Sequence, residues 1–239
     1  MIRINKYLSL SGISSRRGAE QLIREGKVTV NDVTIDRVGT IINEENDVVK
    51  VDGTVATPVS RKYYILLNKP QQVLTTLFDP FRRKTVAYYT KSVPVRVYPV
   101  GRLDYDTEGA LILTNDGDLA YRLAHPKYGI RKIYNAVVNG IFRQEDADRI
   151  TRGVKLEDGY VGRAESRLIS VRGNVSKIEL ILTEGRKREV KQLLKSVGYP
   201  VIYLRRVSFA GLRVDKLKVG RWRYINHQEI RHLKDLVGL

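Results

Sequence analysis

At 239 residues, with 42% hydrophobic and 29% charged side chains, the chain holds enough apolar material for one large or two smaller buried cores. Its 43 Lys+Arg against 26 Asp+Glu give a formal charge of +17, which calls for a polyanionic partner, nucleic acid ahead of an anionic membrane surface. The absence of cysteine excludes disulfides, thiolate nucleophiles and zinc–cysteine sites, and His125, His227 and His232 are scattered without the paired spacing of a metal site. No apolar run approaches the roughly 20 residues that cross a bilayer, and Met1–Lys6 lacks the apolar core of a signal peptide, so the expected location is the cytoplasm.

In chain order, the charge changes first. Residues 1–58 hold eight basic and eight acidic groups, so the rest of the chain carries the whole +17. Within this neutral part the cations Arg3, Lys6, Arg16, Arg17, Arg24 and Lys27 precede residue 28, whereas six of the eight acids follow it. Ser14 and Ser15 are N-cap residues for a helix that stops at Gly26. Ala19, Leu22 and Ile23 share one face of it, leaving Arg17 and Arg24 on the other. Short strands follow at Val28–Val30, Val33–Ile35 and Val48–Val51, with turns at Asn31-Asp32 and Asp52-Gly53. This order of two helices and a small sheet, with the run Ser14-Ser15-Arg16-Arg17-Gly18-Ala19-Glu20-Gln21-Leu22-Ile23 continuing to Gly26-Lys27-Val28-Thr29-Val30-Asn31, resembles the S4 RNA-binding module. Arg16, Arg17, Arg24 and Lys27 are then its RNA contacts; the plainer reading is a solvated helix face.

Thr54 to Arg61 has no periodicity. The boundary is placed at a linker over 59–61, between a first domain at 1–58 and a second at 62–239. In the second domain strands are expected at Tyr63–Leu67, Val73–Thr76, Val97–Val100, Ala110–Thr114, Ile133–Val138, Ile178–Thr183 and Val201–Phe209. Helices are expected at Asp118–Ala124, Gln144–Arg152, Lys187–Val197 and Gln228–Val237. Strands outnumber helices and do not alternate with them, which predicts an α+β domain on a mixed, mostly antiparallel sheet with flanking helices.

Three constellations could carry chemistry. Gly101-Arg102-Leu103-Asp104-Tyr105-Asp106-Thr107-Glu108-Gly109 is a glycine-bounded acidic turn that feeds a buried strand. Its alternating acids could ligate a divalent cation or could shape the loop and pair with Arg102. No Walker A sequence supports nucleotide hydrolysis. In Glu184-Gly185-Arg186-Lys187-Arg188-Glu189, followed by Val190, Leu193, Leu194 and Val197 at helical spacing, Arg188, Lys191 and Lys195 lie opposite the apolar stripe. Arg186, counted as part of the helix, falls toward the apolar face in the first turn, where the helix dipole opposes it; an anionic partner explains that placement. In Arg131-Lys132-Ile133-Tyr134-Asn135-Ala136-Val137-Val138, alternation puts Tyr134 on one face with Ala136 and Val138, either as core or as a platform for a base.

Together these segments resemble the pseudouridine synthase family, in its bacterial ribosomal branch where an S4 module precedes the catalytic domain. The motif Gly-Arg-Leu-Asp-x-x-Thr-Glu-Gly at 101–109 carries most of the resemblance. It implies that Asp104 is the catalytic aspartate, with Asp106 and Glu108 shaping the loop. Tyr134 would contact the target base, Arg186 would pair with the aspartate, Leu193 or Leu194 would supply the apolar wall, and Arg102 would help to open the RNA helix. Lys69-Pro70 matches the family's first motif, although Gln72 stands where glycine is usual. Lys69, Lys132, Arg188 and Lys191 join the expected RNA contacts. Phe78–Val86, Gly117–Pro126 and Arg152–Gly159 resemble the RluB subgroup, which modifies one uridine of 23S ribosomal RNA near the peptidyl-transferase centre; the RsuA (16S) and RluF types share the catalytic motifs. The implied reaction is an isomerisation by a monomer that needs neither cofactor nor metal. Two other readings stand beside it: a non-catalytic ribosomal-RNA-binding assembly factor, and a metal-dependent nuclease.

Overall fold

The computed structural model describes residues 1–239. By internal contacts the chain divides into two compact units, Met1–Lys62 with Pro94–Arg96, and Tyr63–Val93 with Val97–Leu239.

In the first unit, helices α1 (Ile4–Leu10) and α2 (Arg16–Arg24) accompany an antiparallel sheet of β1 (Val28–Val30), β2 (Val33–Thr34), β3 (Val49–Val51) and β4 (Thr54–Val55), ordered β2-β1-β3-β4. The Ser15 hydroxyl accepts the Gly18 N–H at 3.0 Å, satisfying one of the donors that a helix start leaves unpaired. Beyond the C-terminus of α2, Gly26 takes a φ of +66°, a conformation that favours glycine. Ala19 and Ile23 point into a core with Ile4, Leu8, Val28 and Val49, so Arg16, Arg17 and Arg24 are left exposed. The stretch from Thr54, read as aperiodic, opens with the edge strand β4, which is too short to show a period.

The second unit is built on one nine-stranded sheet. Its main strands are β5 (Tyr64–Lys69), β6 (Thr107–Thr114), β7 (Lys132–Asn139), β8 (Glu165–Arg172), β9 (Val175–Leu182), β10 (Val201–Phe209) and β11 (Trp222–Tyr224), ordered β8-β9-β7-β10-β6-β5-β11. Leu212–Arg213 adds to β10, and Tyr98–Pro99 adds to β6. Every pairing is antiparallel except that of β6 with β10. Four helices pack on it: α3 (Gly117–Ala124), α4 (Gln144–Arg152), α5 (Glu189–Ser196) and α6 (His227–Asp235).

Two apolar clusters form. One joins Leu66, Ile112 and Phe209 of the sheet to Leu119 and Leu123 of α3 and Leu233 of α6. The other joins Ile178, Leu180 and Leu204 to Ile150 of α4 and Leu193 and Leu194 of α5. The α+β class and the mostly antiparallel sheet expected from the sequence are thus the architecture adopted.

Three local expectations change. Val73–Thr76 is no strand and makes only an isolated bridge, Leu74 to Thr85. The edge strand β8 and the three-residue β11 escaped notice, β8 because most of its side chains are exposed and it lacks an apolar alternation. Helix α5 starts at Glu189, two residues later than the apolar stripe suggested, because Arg188 has a φ of +54° and breaks the helical path. Arg186 therefore lies before the helix and not within its first turn.

Candidate active site

Residue pairing lines up a row across five neighbouring strands: Lys69 opposite Gly109, Gly109 beside Arg206, Arg206 opposite Tyr134, and Tyr134 opposite Leu180. Glycine is required at the centre of that row. Gly109 has a φ of +119°, and a Cβ there would run into the backbone carbonyl of Arg206. The close approach lets the only parallel pair of the sheet form at the exit of the acidic turn.

A cavity of about 450 Å³ opens over this row, within the range of small-molecule sites. Asp104 and Arg102 line it from the turn, Tyr134 and Lys132 from β7, Arg186 and Arg188 from the loop before α5, and Arg206 from β10. Four segments far apart in sequence thus meet around one space. Asp104 is partly buried, and Arg102 is exposed at the rim.

The turn that presents Asp104 is held from beneath. The fully buried amine of Lys69 donates to the carbonyls of Pro70 at 3.0 Å, Asp104 at 3.1 Å and Thr107 at 2.9 Å. Burial lowers its pKa from 10.5 to about 8, against the opposing attraction of Asp104 and Asp106. Lys69, expected among the RNA contacts, is enclosed and committed to three carbonyls and has no surface to offer RNA. Lys132 is similar: its amine donates to the Ile130 carbonyl at 2.9 Å and the Thr183 carbonyl at 3.0 Å. Burial, and then the neighbouring Arg206, lower its pKa to about 8.

The other two acids of the turn are engaged elsewhere. Asp106 meets the Lys191 amine at 2.5 Å, with Arg188 at 3.8 Å. Partial burial raises the Asp106 pKa, but Lys191 and Arg188 together bring it below the ordinary carboxylate value. Glu108 faces Arg205 at 3.3 Å and hydrogen-bonds Tyr203, whose phenol is pushed up to about 12 by burial and then by that carboxylate. These contacts fasten the turn to α5 and β10.

Arg186 lines the cavity but does not pair with Asp104. Its guanidinium donates to Asp158 at 3.0 Å and lies 3.8 Å from the centre of the Tyr160 ring, while its backbone N–H donates to Glu189. The Tyr160 hydroxyl in turn donates to Glu184 at 2.7 Å. Leu193 and Leu194 are fully buried in the core under α5 and do not line the cavity. Its apolar lining includes Val190, Leu182 and Leu204, with Val100, Leu103 and Phe209. In the first unit, Arg16, Arg17 and Arg24 are exposed, and Lys27 is paired with Glu25 at 2.7 Å.

Sequence reasoning missed Arg206 and Thr107 as residues of the site. Both are 2% exposed and line the cavity, and the Nη2 of Arg206 and the Oγ1 of Thr107 have no hydrogen-bond partner. The available signal was the pair Arg205-Arg206 within an otherwise largely apolar strand: alternation sends one of the two to each face, and burying a guanidinium requires a local reason.

The model of RNA pseudouridylate synthases matches residues 63–196, and that of the S4 domain matches residues 2–49. Over 239 residues the chain is 45% identical to a protein of Aquifex aeolicus described as an uncharacterized RNA pseudouridine synthase, covering 100% of this chain and 96% of that one. It is 39% identical to the ribosomal large subunit pseudouridine synthase B of Bacillus subtilis, covering 99% of this chain and 97% of that one. A crystal structure of a pseudouridylate synthase superposes with a TM-score of 0.69 at 24% identity, covering 98% of this chain and 100% of the other, which shows a shared fold. With the synthase model spanning more than half the chain and full-length relatives well above the identity that separates families, this chain belongs to the RNA pseudouridylate synthase family, with an S4 domain ahead of the catalytic one, and is an enzyme that isomerises uridine in RNA.

Proposed function

We propose that the enzyme converts a uridine of 23S ribosomal RNA to pseudouridine, with Asp104 as the catalytic carboxylate. The observation that carries the site is the convergence of Asp104, Tyr134 and Arg186, from a turn, a strand and a loop, on one cavity roofed by basic side chains. The full-length similarity to a large-subunit synthase of Bacillus subtilis supports the choice of RNA over a 16S or RluF-type target.

The uridine must leave its helix to enter the cavity. Arg102 at the rim, and Arg188 with Lys191 around Asp106, supply positive potential for the flanking phosphates. Tyr134 offers its ring as a platform for the uracil. Asp104 then acts on the nucleoside, as a nucleophile or as a base toward a ribose proton. Arg186 holds Asp158 through a solvent-exposed ion pair, a weak contact that it can exchange for an anion inside the cavity. The exposed face of α2, bearing Arg16, Arg17 and Arg24, adds a second RNA contact. We place the reaction in the cytoplasm and the enzyme as a monomer.

Pseudouridine mapping of ribosomal RNA from cells with and without the protein tests the reading. One 23S position loses its modification in the deletion strain and regains it with the wild-type gene but not with Asp104→Asn. Purified Asp104→Asn binds the RNA with affinity within about threefold of wild type and shows turnover reduced by at least about 10⁴-fold. Isomerisation retained by that variant removes Asp104 from the chemistry, and loss of a 16S position instead moves the enzyme to the small subunit.

A further inference from the structure

Arg206 is the least expected residue in the cavity. The residue is 2% exposed, yet no carboxylate pairs with its guanidinium. Nε donates to the Ala110 carbonyl at 2.8 Å, the group lies 4.6 Å from the Phe209 ring centre, and Nη2 has no partner. An unpartnered buried donor is costly and uncommon in a folded protein. Thr107, across the parallel pairing from Leu204, leaves a second orphan at the same cavity, its hydroxyl. Two orphans lining one space are groups that a ligand completes.

The chemistry of that ligand follows from the pairing. Arg206 stands directly opposite Tyr134, one strand spacing or about 4.8 Å away. A pyrimidine stacked on Tyr134 brings its polar edge to the guanidinium. Uracil presents two carbonyl acceptors, O2 and O4, and one N3–H donor, which an arginine and a threonine hydroxyl together complement. The demand on the carbonyls changes during the reaction. When the C1′–N1 bond breaks, its electron pair stays with the ring and spreads over N1, O2 and O4, while Asp104 meets the electron deficiency at the sugar. The ring then turns, C5 bonds to C1′, the proton on C5 passes to solvent water, and N1 takes one proton back from solvent, so no atom is gained or lost overall. Between the two bonds the detached ring is an anion.

Building on the proposed function, we infer that Arg206 is a catalytic residue that donates to a uracil carbonyl and stabilises the negative charge of the detached ring. Its charge is held in a buried position before the substrate arrives, which is the arrangement that gives electrostatic stabilisation its strength. Lys132, buried beside it, adds to the positive potential. Retaining the anion in the cavity also explains how the ring can turn without escaping.

The test uses the full-length enzyme and two large-subunit RNA transcripts, one with uridine and one with 5-fluorouridine. Fluorine withdraws electrons and makes the ring a better leaving group, so it depends less on the cation. Conversion of the uridine transcript by wild type tests the functional reading by itself; the ratio of the losses tests Arg206. Under single turnover, read as disappearance of the starting nucleoside, Arg206→Gln slows reaction on uridine by about 10²- to 10³-fold and on 5-fluorouridine by no more than about 10-fold. RNA affinity stays within about threefold of wild type. Arg206→Lys, which keeps the charge, recovers at least about tenfold of the loss on uridine and serves as the second variant if the glutamine protein does not fold. Equal losses on both transcripts, or an unimpaired glutamine variant, overturn the proposal.

Discussion

The amine of Lys69 gives its three protons to the carbonyls of Pro70, Asp104 and Thr107, so one side chain from β5 fixes the backbone on which Asp104 is mounted. Lys69→Met leaves those carbonyls without their donor and is expected to cost about 3 kcal/mol, read by urea unfolding. The same residue makes a pH signature. Its folded pKa of about 8 lies below the ordinary 10.5, so between those values the unfolded chain binds more of its proton than the folded one. Stability therefore rises with pH across that window in wild type relative to Lys69→Met, and a flat difference would mean that burial does not lower the pKa of this amine. Sequence could find Lys69 only through a resemblance and gave it to the RNA. A lysine at the end of an apolar strand looks the same whether it snorkels to solvent or caps carbonyls, since two of the three acceptors belong to a turn that begins 35 residues away.

At the scale of elements, the site depends on the contact of β6 with β10. Gly109→Ala must push the new methyl group into the Arg206 backbone and hold alanine at a φ of +119°. The two effects together are expected to destabilise the protein by on the order of 3 kcal/mol and to lower Tm by roughly 10 °C. Calorimetry decides it, and an unchanged Tm would show that the strands can separate there without cost. The acidic turn and its strand were legible because glycines, acids and an apolar run are written consecutively from 101 to 114. The start of α5 was less so: periodicity extends the helix back through Arg188, and only the backbone turn at φ +54° shows that Arg186 belongs to a loop. Strand β8 was hidden for a different reason, since an exposed edge needs no apolar face to be a strand.

For the whole molecule, the charge of +17 lies outside residues 1–58, which are neutral overall and show Arg16, Arg17 and Arg24 on the exposed side of α2. RNA binding is expected to weaken by on the order of 10³-fold between 50 and 200 mM salt. Replacing Arg16, Arg17 and Arg24 together with alanine reduces the slope of log affinity against log salt by about 2 to 3 and leaves turnover at saturating RNA unchanged. An unchanged slope would make that face a solvating surface. The division of charge was readable from the positions of the charged residues, and the α+β class from strands that outnumber helices without alternating with them. The assembly of the cavity was not, because its lining comes from four segments whose mutual distances are set by sheet order.

The hydrogen bond from Arg206 to Ala110 spans 96 residues. Contacts of that separation close late, after the local hairpins and helices have formed, because the entropy of the long loop opposes them. The pocket is therefore finished only when β10 has been made and docked, and a fragment that stops before residue 201 lacks one half of it. Until β10 docks, the acidic turn faces no formed cavity.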